Sequence, residues 1–423
     1  MQNNSVLANK LIGEIPKDWS YINLKEIYVK PIRDFGSFST TKLITFLDSG
    51  IPFIKSEMIK EGSIDWTSVH YISDDVHKLL NKSYIEKHTI LFSKIGSALG
   101  KAVVYEGERG LCNSNAAVAK ITLNNKVADN YYYTYLLNNS LAKKQFIRLI
   151  VSLLPRINLG DISDLILPLP PLVEQRKIAN ILGTWDKAIS TTKRLIDNSK
   201  QQKKALMQQL LTGKKRLSAF DSEWKEIKLA EIGRCITGLT YSPSDIVDES
   251  GMLVLRSSNI QHGKLAYKDN VFVSSDLTIK SKTQNGDILV CIRNGSKNLI
   301  GKSALIKGKA ANQAHGAFMT LFRCKYPDYT FQLFQSSHYY RQVHKNLGAT
   351  INSINTSDLH KFKFMMPTDD NEINAIAACL SNADREIEVL EQQFADLQQE
   401  KKALMQQLLT GKRRVKVDNT EAA

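Results

Sequence analysis

A chain of 423 residues exceeds the usual size of one domain, so two or more units with separate cores are expected. With 43% hydrophobic and 23% charged residues it has the composition of neither a disordered nor a fibrous chain, and no stretch reaches the ~18 apolar residues of a membrane span. A formal net charge of +15 and a pI near 9.4 point to a polyanionic partner, of which nucleic acid is the commonest. Five scattered cysteines (Cys112, Cys235, Cys291, Cys324, Cys379) form no Cys-x-x-Cys pair, so neither a disulfide framework nor a zinc site is expected. The opening MQNNSVLANKLIGEIPKDW lacks the build of a signal peptide, which leads us to expect a cytoplasmic protein.

The chain is an internal repeat. Lys203 to Lys214 reads KKALMQQLLTGK, and Lys401 to Lys412 repeats it without a change, 198 residues later. The same offset aligns IANILGTWDKAI from Ile178 with IAACLSNADREI from Ile376. Each copy has a divergent front and a well-kept rear. The elements divide as a front over residues 12–168, a helix over 169–216, a second front over 217–366, a second helix over 367–414 and a flexible tail over 415–423.

The first front, 12–168, carries short β-type runs such as TILFSKIG, KAVVYEG and AAVAKITL, bounded by turn residues, and a helical aromatic stretch, YYYTYLLNNSLAKKQF. An α+β domain is the simplest reading. Tyrosines at that density are expected mainly in the core. Its candidate DNA-binding side chains, on expected turns, are Arg33, Lys55, Lys94 and Arg156.

The first rear segment is helical by period. Ile178, Leu182, Trp185, Ile189, Ile196, Leu206 and Leu210 fall on steps of three and four, with Lys203 in the same seam. Pro170-Pro171 with Glu174 opens this helix, and Gly213 closes it.

The second front, 217–366, repeats the pattern with GMLVLRSSNI, GDILVCIRNG and GAFMTLF, then YTFQLFQSSHYYRQVHKNL. Its candidate DNA contacts are Arg256, Arg293, Asn294, Lys297, His315 and Arg341. Arg and Asn are the side chains with bidentate matches to guanine and adenine edges. In the second rear segment Ile376, Leu380, Ile387, Leu390, Phe394, Leu397, Leu404 and Leu408 continue the seam, with Lys401 in register. Asp369 with Glu372 is expected to form a capping box and Gly411 to close the helix.

Between Leu172 and Arg216 eleven Lys/Arg face three acidic residues, whereas Asp369 to Arg414 carries nine acidic residues against six Lys/Arg. The two segments are therefore expected to pair within one molecule, antiparallel, as a coiled coil with a pseudo-twofold.

No catalytic machinery is legible. GSKNLIGKS (Gly295–Ser303) has five residues where the phosphate-loop pattern has four between its glycines, and reads as a turn. There is no HExxH, no G-x-S-x-G elbow and no [DN]-P-P-[YF] tetrapeptide of an adenine methyltransferase. Glu223-Trp224-Lys225 is a nuclease-like fragment without its upstream carboxylate frame. The expected protein is a reader with no catalytic residue, metal or cofactor of its own.

From Leu167 to Ile189 the sequence LPLPPLVEQRKIANILGTWDKAI resembles the conserved region of type I restriction–modification specificity subunits, closely so at Pro168, Pro170, Pro171, Glu174, Gln175, Ile178, Leu182, Asp186 and Ile189. The second copy keeps Pro367, Glu372, Ile376, Leu380, Asp384 and Ile387, with Ile373 in place of Gln. Gly286-Asp287-Ile288-Leu289 also looks like that family's turn-strand signature; the first copy departs there, with His88-Thr89-Ile90-Leu91. The resemblance implies two α+β target-recognition domains separated by paired helices. It implies double-stranded DNA as ligand, read as a bipartite target. It also implies two methyltransferase subunits and ATP-dependent restriction subunits as partners that carry the chemistry. A seam from Ile178 to Leu210, roughly 50 Å long at ~1.5 Å per residue, suggests a gap of about 5–8 base pairs between half-sites. A stand-alone duplicated DNA-binding regulator is the alternative reading, and a nuclease or methyltransferase fused to its own reader a third.

Overall fold

The computed structural model describes residues 13–35, 44–147, 155–275, 277, 281–347 and 352–416. Two compact units divide the chain: one runs up to Thr191 and resumes at Phe394, and the other is Thr192–Gln393.

In the first unit the buried run Val118–Leu123 forms the inside of a four-stranded antiparallel sheet with Tyr28–Arg33, Ile90–Ser93 and Ala102–Val104. A second sheet orders His70–Ile72, Ile51–Ile54, Cys112–Ser114 and Tyr84–Ile85, with a parallel pairing of Ile51–Ile54 and Cys112–Ser114. Ser20–Asn23 pairs with Ile166–Leu169 where the domain hands over to its long helix. The second unit repeats this plan. Gly233–Thr237, Met319–Cys324, Ile288–Cys291 and Ser303–Leu305 make the antiparallel sheet. Met252–Leu255 and Ala314–His315 supply the parallel pair, and Trp224–Lys228 pairs with Lys363–Pro367.

The aromatic stretches are helices, Asn130–Asn138 and Ser140–Ile147 in one unit, Pro327–Phe334 and Ser337–Lys345 in the other. Asp129 caps the first by accepting from the Tyr132 amide (2.9 Å), as Ser336 does from the Tyr339 amide (3.2 Å). Tyr132, Tyr133, Tyr329 and Tyr339 are buried, as their density suggested. The turn before the central strand is also repeated, despite the departure at His88. Gly286 has φ +92° and His88 φ +64°. Each amide donates to the carbonyl just past the end of the strand opposite, His88 to Tyr105 and Gly286 to Ile306.

The long helices span Leu172–Leu210 and Asp370–Leu408 and pair as an antiparallel coiled coil. In the first unit Ile178 and Leu182, fully buried, share a core with Leu404 and Leu408. In the second, Ile376 and Leu380 share a core with Leu206 and Leu210. Each fully buried Ile or Leu contributes about 1.5–3 kcal/mol. Trp185, Ile189, Ile196, Ile387, Leu390, Phe394 and Leu397 are buried or half-buried as well.

The charges do not simply match a basic helix to an acidic one. The second unit has Lys203 on Asp384 (2.5 Å), Lys200 on Glu391 (2.7 Å) and Arg216 on Glu372 (2.5 Å). In the first unit the donors come from the second rear segment, Lys401 of its helix to Asp186 (2.5 Å) and Arg414 beyond its end to Glu174 (2.7 Å). The helix ends also differ from expectation. Asp369 caps the Asn371 amide (2.8 Å), but Glu372 turns inward to Arg216, Ser222 and Trp224 instead of closing a capping box. Gly213 and Gly411 (φ +71° and +70°) end the helices, and a Cβ on Gly411 would collide with the Pro16 ring.

Candidate nucleic-acid interface

In the second unit five segments converge at one edge. The strand Met252–Leu255 ends at Arg256, whose amide donates to the Asn259 side chain (2.9 Å), turning the chain. The Gly316 amide donates to the Leu255 carbonyl (3.0 Å), and the segment at Gly238 crosses so close that a Cβ there would collide with the Gly316 carbonyl oxygen. After Ile288–Cys291, Arg293 donates its amide to Phe318 (3.2 Å) and bridges Ser353. Asn294 donates its side-chain amide to the Ser257 hydroxyl (3.0 Å), and the Asn352 side chain donates to the Gly295 carbonyl (2.8 Å). Arg256, Arg293, Asn294 and Lys297 are thus held on one set of interlocked loops. Arg256 pairs with Asp269 (3.0 Å), Lys297 is exposed, and the Arg293 guanidinium lies 5.8 Å over the Phe318 ring, itself 56% exposed.

The first unit builds the same edge from matching strands. Ile51–Ile54 ends at Lys55, the Asn115 amide donates to the Ile54 carbonyl (3.0 Å), and Ile95 bridges Arg156 as Arg293 bridges Ser353. The Lys55 ammonium sits 4.6 Å over the exposed Phe46 ring and 3.2 Å from His70 Nε2. Arg156 is exposed. Arg33 is exposed at the end of its strand, next to Asp34.

Three candidates lie elsewhere than the sequence suggested. Lys94 is 2% exposed and spends its charge on Asp34 (3.1 Å), with its backbone bonded on both sides, to Ala117 and to Ile157. His315 is 1% exposed, bonded through Nε2 to the Ile236 carbonyl (3.0 Å), and burial holds its pKa below the ordinary value. Both shape the edge from within. Arg341 stands on the helix Ser337–Lys345, lining a cleft of about 800 Å³ with Lys200, Lys204 and Lys214. Beside Lys94, the buried Lys120 donates to the Asp34 and Lys82 carbonyls, and burial pushes its pKa down to about 7.

Sequence reading missed Phe46, His70, Phe318 and Asn352. Phe318 stands in GAFMTLF as one more apolar residue of a strand run; only its neighbour in space, Arg293, marks it. GSKNLIGKS is a single 3-10 turn, Lys297–Leu299, leading into the strand Ser303–Leu305. Among the described residues no His, Cys, Asp and Glu cluster could hold a metal, and no helix is long and apolar enough to cross a membrane.

Residues 16–199 and 221–399 match the type I restriction modification DNA specificity domain. The specificity subunit of the type I restriction enzyme MjaVIII of Methanocaldococcus jannaschii is 26% identical over 424 residues, covering 95% of this chain and 94% of that one. The EcoKI specificity subunit of Escherichia coli is 25% identical over 317 residues, 70% of this chain and 66% of its own. The type I restriction-modification S subunit of M. genitalium shares the fold with a TM-score of 0.60 at 14% identity, over 94% of this chain and 96% of that one. With two domain matches spanning most of its length, the chain belongs to the family of type I restriction-modification specificity subunits, which are DNA-recognition proteins.

Proposed function

We propose that the chain reads a bipartite DNA target, one half through each recognition domain, and scaffolds the methyltransferase and ATP-dependent restriction subunits that carry out catalysis. The observation that carries the reading is the duplicated edge. Two domains present interlocked loops at the same topological position, but with different side chains: Lys55, Arg156 and Phe46 in one, Arg256, Arg293, Lys297 and Phe318 in the other. A fixed frame with exchanged side chains suits two different half-sites. Cations there supply phosphate contacts and register, and the polar side chains supply base contacts. The paired helices, each of 39 residues and so ~58 Å long, support a spacer role. The basic cleft at Lys200, Lys204, Lys214 and Arg341 supports docking of an acidic partner surface.

The test is to replace residues 12–168 with the front of another specificity subunit and map adenine methylation in a host carrying the complex. One half-site changes and the other stays. A change in both halves, or methylation by the purified single chain with S-adenosylmethionine, overturns the reading.

A further inference from the structure

We propose that Arg293, whose guanidinium lies over the Phe318 ring, is a guanine-reading site that serves one half of the target only. The inference rests on the two-reader function above. Arg293 is exposed, and no carboxylate pairs with it among the described residues, whereas Arg256 is held on Asp269, Arg323 on Asp287 and Arg216 on Glu372. Its backbone is fixed on two sides, by the hydrogen bond that its amide donates to the Phe318 carbonyl and by the bridge to Ser353, and its guanidinium lies over the aromatic ring. A half-exposed phenylalanine at the tip of a loop contributes little to packing, and here its ring lies 5.8 Å from the guanidinium, within reach of a cation–π attraction.

A guanidinium only donates, in a planar fork. In the major groove guanine offers two adjacent acceptors, O6 and N7, whereas adenine offers one acceptor and one donor. A cation needed only for a phosphate requires no such orientation, and Lys297, exposed on the neighbouring turn, suits that role. At the position matching Arg293 the first unit has Ile95, which cannot make this contact; the arginine of that bridge, Arg156, stands on the opposite segment, where the second unit has Ser353. A guanine contact made from this position therefore belongs to the half-site read by the second unit.

The experiment uses the full chain copurified with its modification subunits, with selection and sequencing of bound duplexes from a library randomised in both half-sites. Arg293→Ala and Arg293→Lys are each expected to lower the preference for guanine at one position of one half-site by roughly fivefold or more. The other half should be unchanged. Lys297→Ala is expected to weaken binding about equally on all sequences, with a shallower salt dependence. Phe318→Ala gives the same positional loss as Arg293→Ala, but smaller. An equal loss on all sequences for Arg293→Ala, or no change, overturns the guanine assignment while leaving the two-reader function standing. Changes in both halves, or a wild-type complex with no bipartite preference, bring down both. Arg293→Lys retains the charge, so a lost preference in that variant cannot be put down to misfolding if its thermal unfolding matches the wild type.

Discussion

The Lys203 ammonium lies 2.5 Å from the Asp384 carboxylate, and the same contact recurs between Lys401 and Asp186 with the helices in exchanged roles. Each carboxylate takes a second donor from its own recognition domain, Gln332 in one case (2.8 Å) and Tyr135 in the other (2.6 Å). The lysine of KKALMQQLLTGK thus closes a junction among two helices and a domain in each unit. Asp384→Asn is expected to destabilise the second unit, and Asp186→Asn the first, by about 1 kcal/mol each. In unfolding experiments the double variant Lys203→Asp with Asp384→Lys should recover part of the loss of the single changes. Purely additive losses would contradict a direct pair.

Glu372 is fully buried and accepts from Arg216, the Ser222 hydroxyl and the Trp224 indole. Burial alone would raise its pKa, but these bonds outweigh it and leave it below the ordinary 4.5. The folded pKa is depressed, so the contribution is complete above the ordinary glutamate value and disappears as pH falls through the folded one. Glu372→Gln should cost about 2–3 kcal/mol at neutral pH and flatten the acid limb of the stability profile. Acid unfolding followed by circular dichroism measures both, and an unchanged acid limb would show that Glu372 is not the titrating group.

His88 occupies the left-handed region where its counterpart is Gly286. A Cβ in that conformation is strained, so His88→Gly is expected to stabilise the first unit by about 1 kcal/mol. Denaturant titration with an unchanged m-value would register it as a shift in midpoint.

Much of the frame was legible in the sequence. The 198-residue offset and the steps of three and four gave both helices and the glycines that end them, because these depend on local period and composition; their pairing was expected from net charge, although the donors come from both segments. The misread residues depend on distant neighbours. Nothing near Glu372 in sequence announces Arg216, 156 positions away, so a local capping box was the natural but incorrect reading. Lys94 looks like a surface lysine until its backbone is seen bonded between Ala117 and Ile157, with its ammonium on Asp34. Gln175, buried, bonds the Asp129 amide and the Val127 and Pro170 carbonyls, while Ile373 is buried in an apolar core at the matching position. One copy solves the join with hydrogen bonds and the other with packing, so the motif position tolerates Ile.

Cys112, Cys235 and Cys291 have thiols pushed up to about 11 by burial. Thiolate is the reactive form, so these three should resist iodoacetamide at pH 8 in the native protein and react only after unfolding. Peptide mass spectrometry of native and denatured samples provides the count, and rapid native labelling of Cys112 or Cys291 would contradict their placement.

Arg414 joins Asp18 across 396 positions of sequence, and Leu404 and Leu408 complete the core around Ile178 and Leu182. The first unit is therefore assembled from both flanks of the chain, whereas the second is one uninterrupted segment. Vectorial synthesis turns that into a schedule. When Gln393 leaves the ribosome, the later-starting unit has all its residues, while the earlier one still shows an open apolar helix face. The domain translated first is the last to be finished.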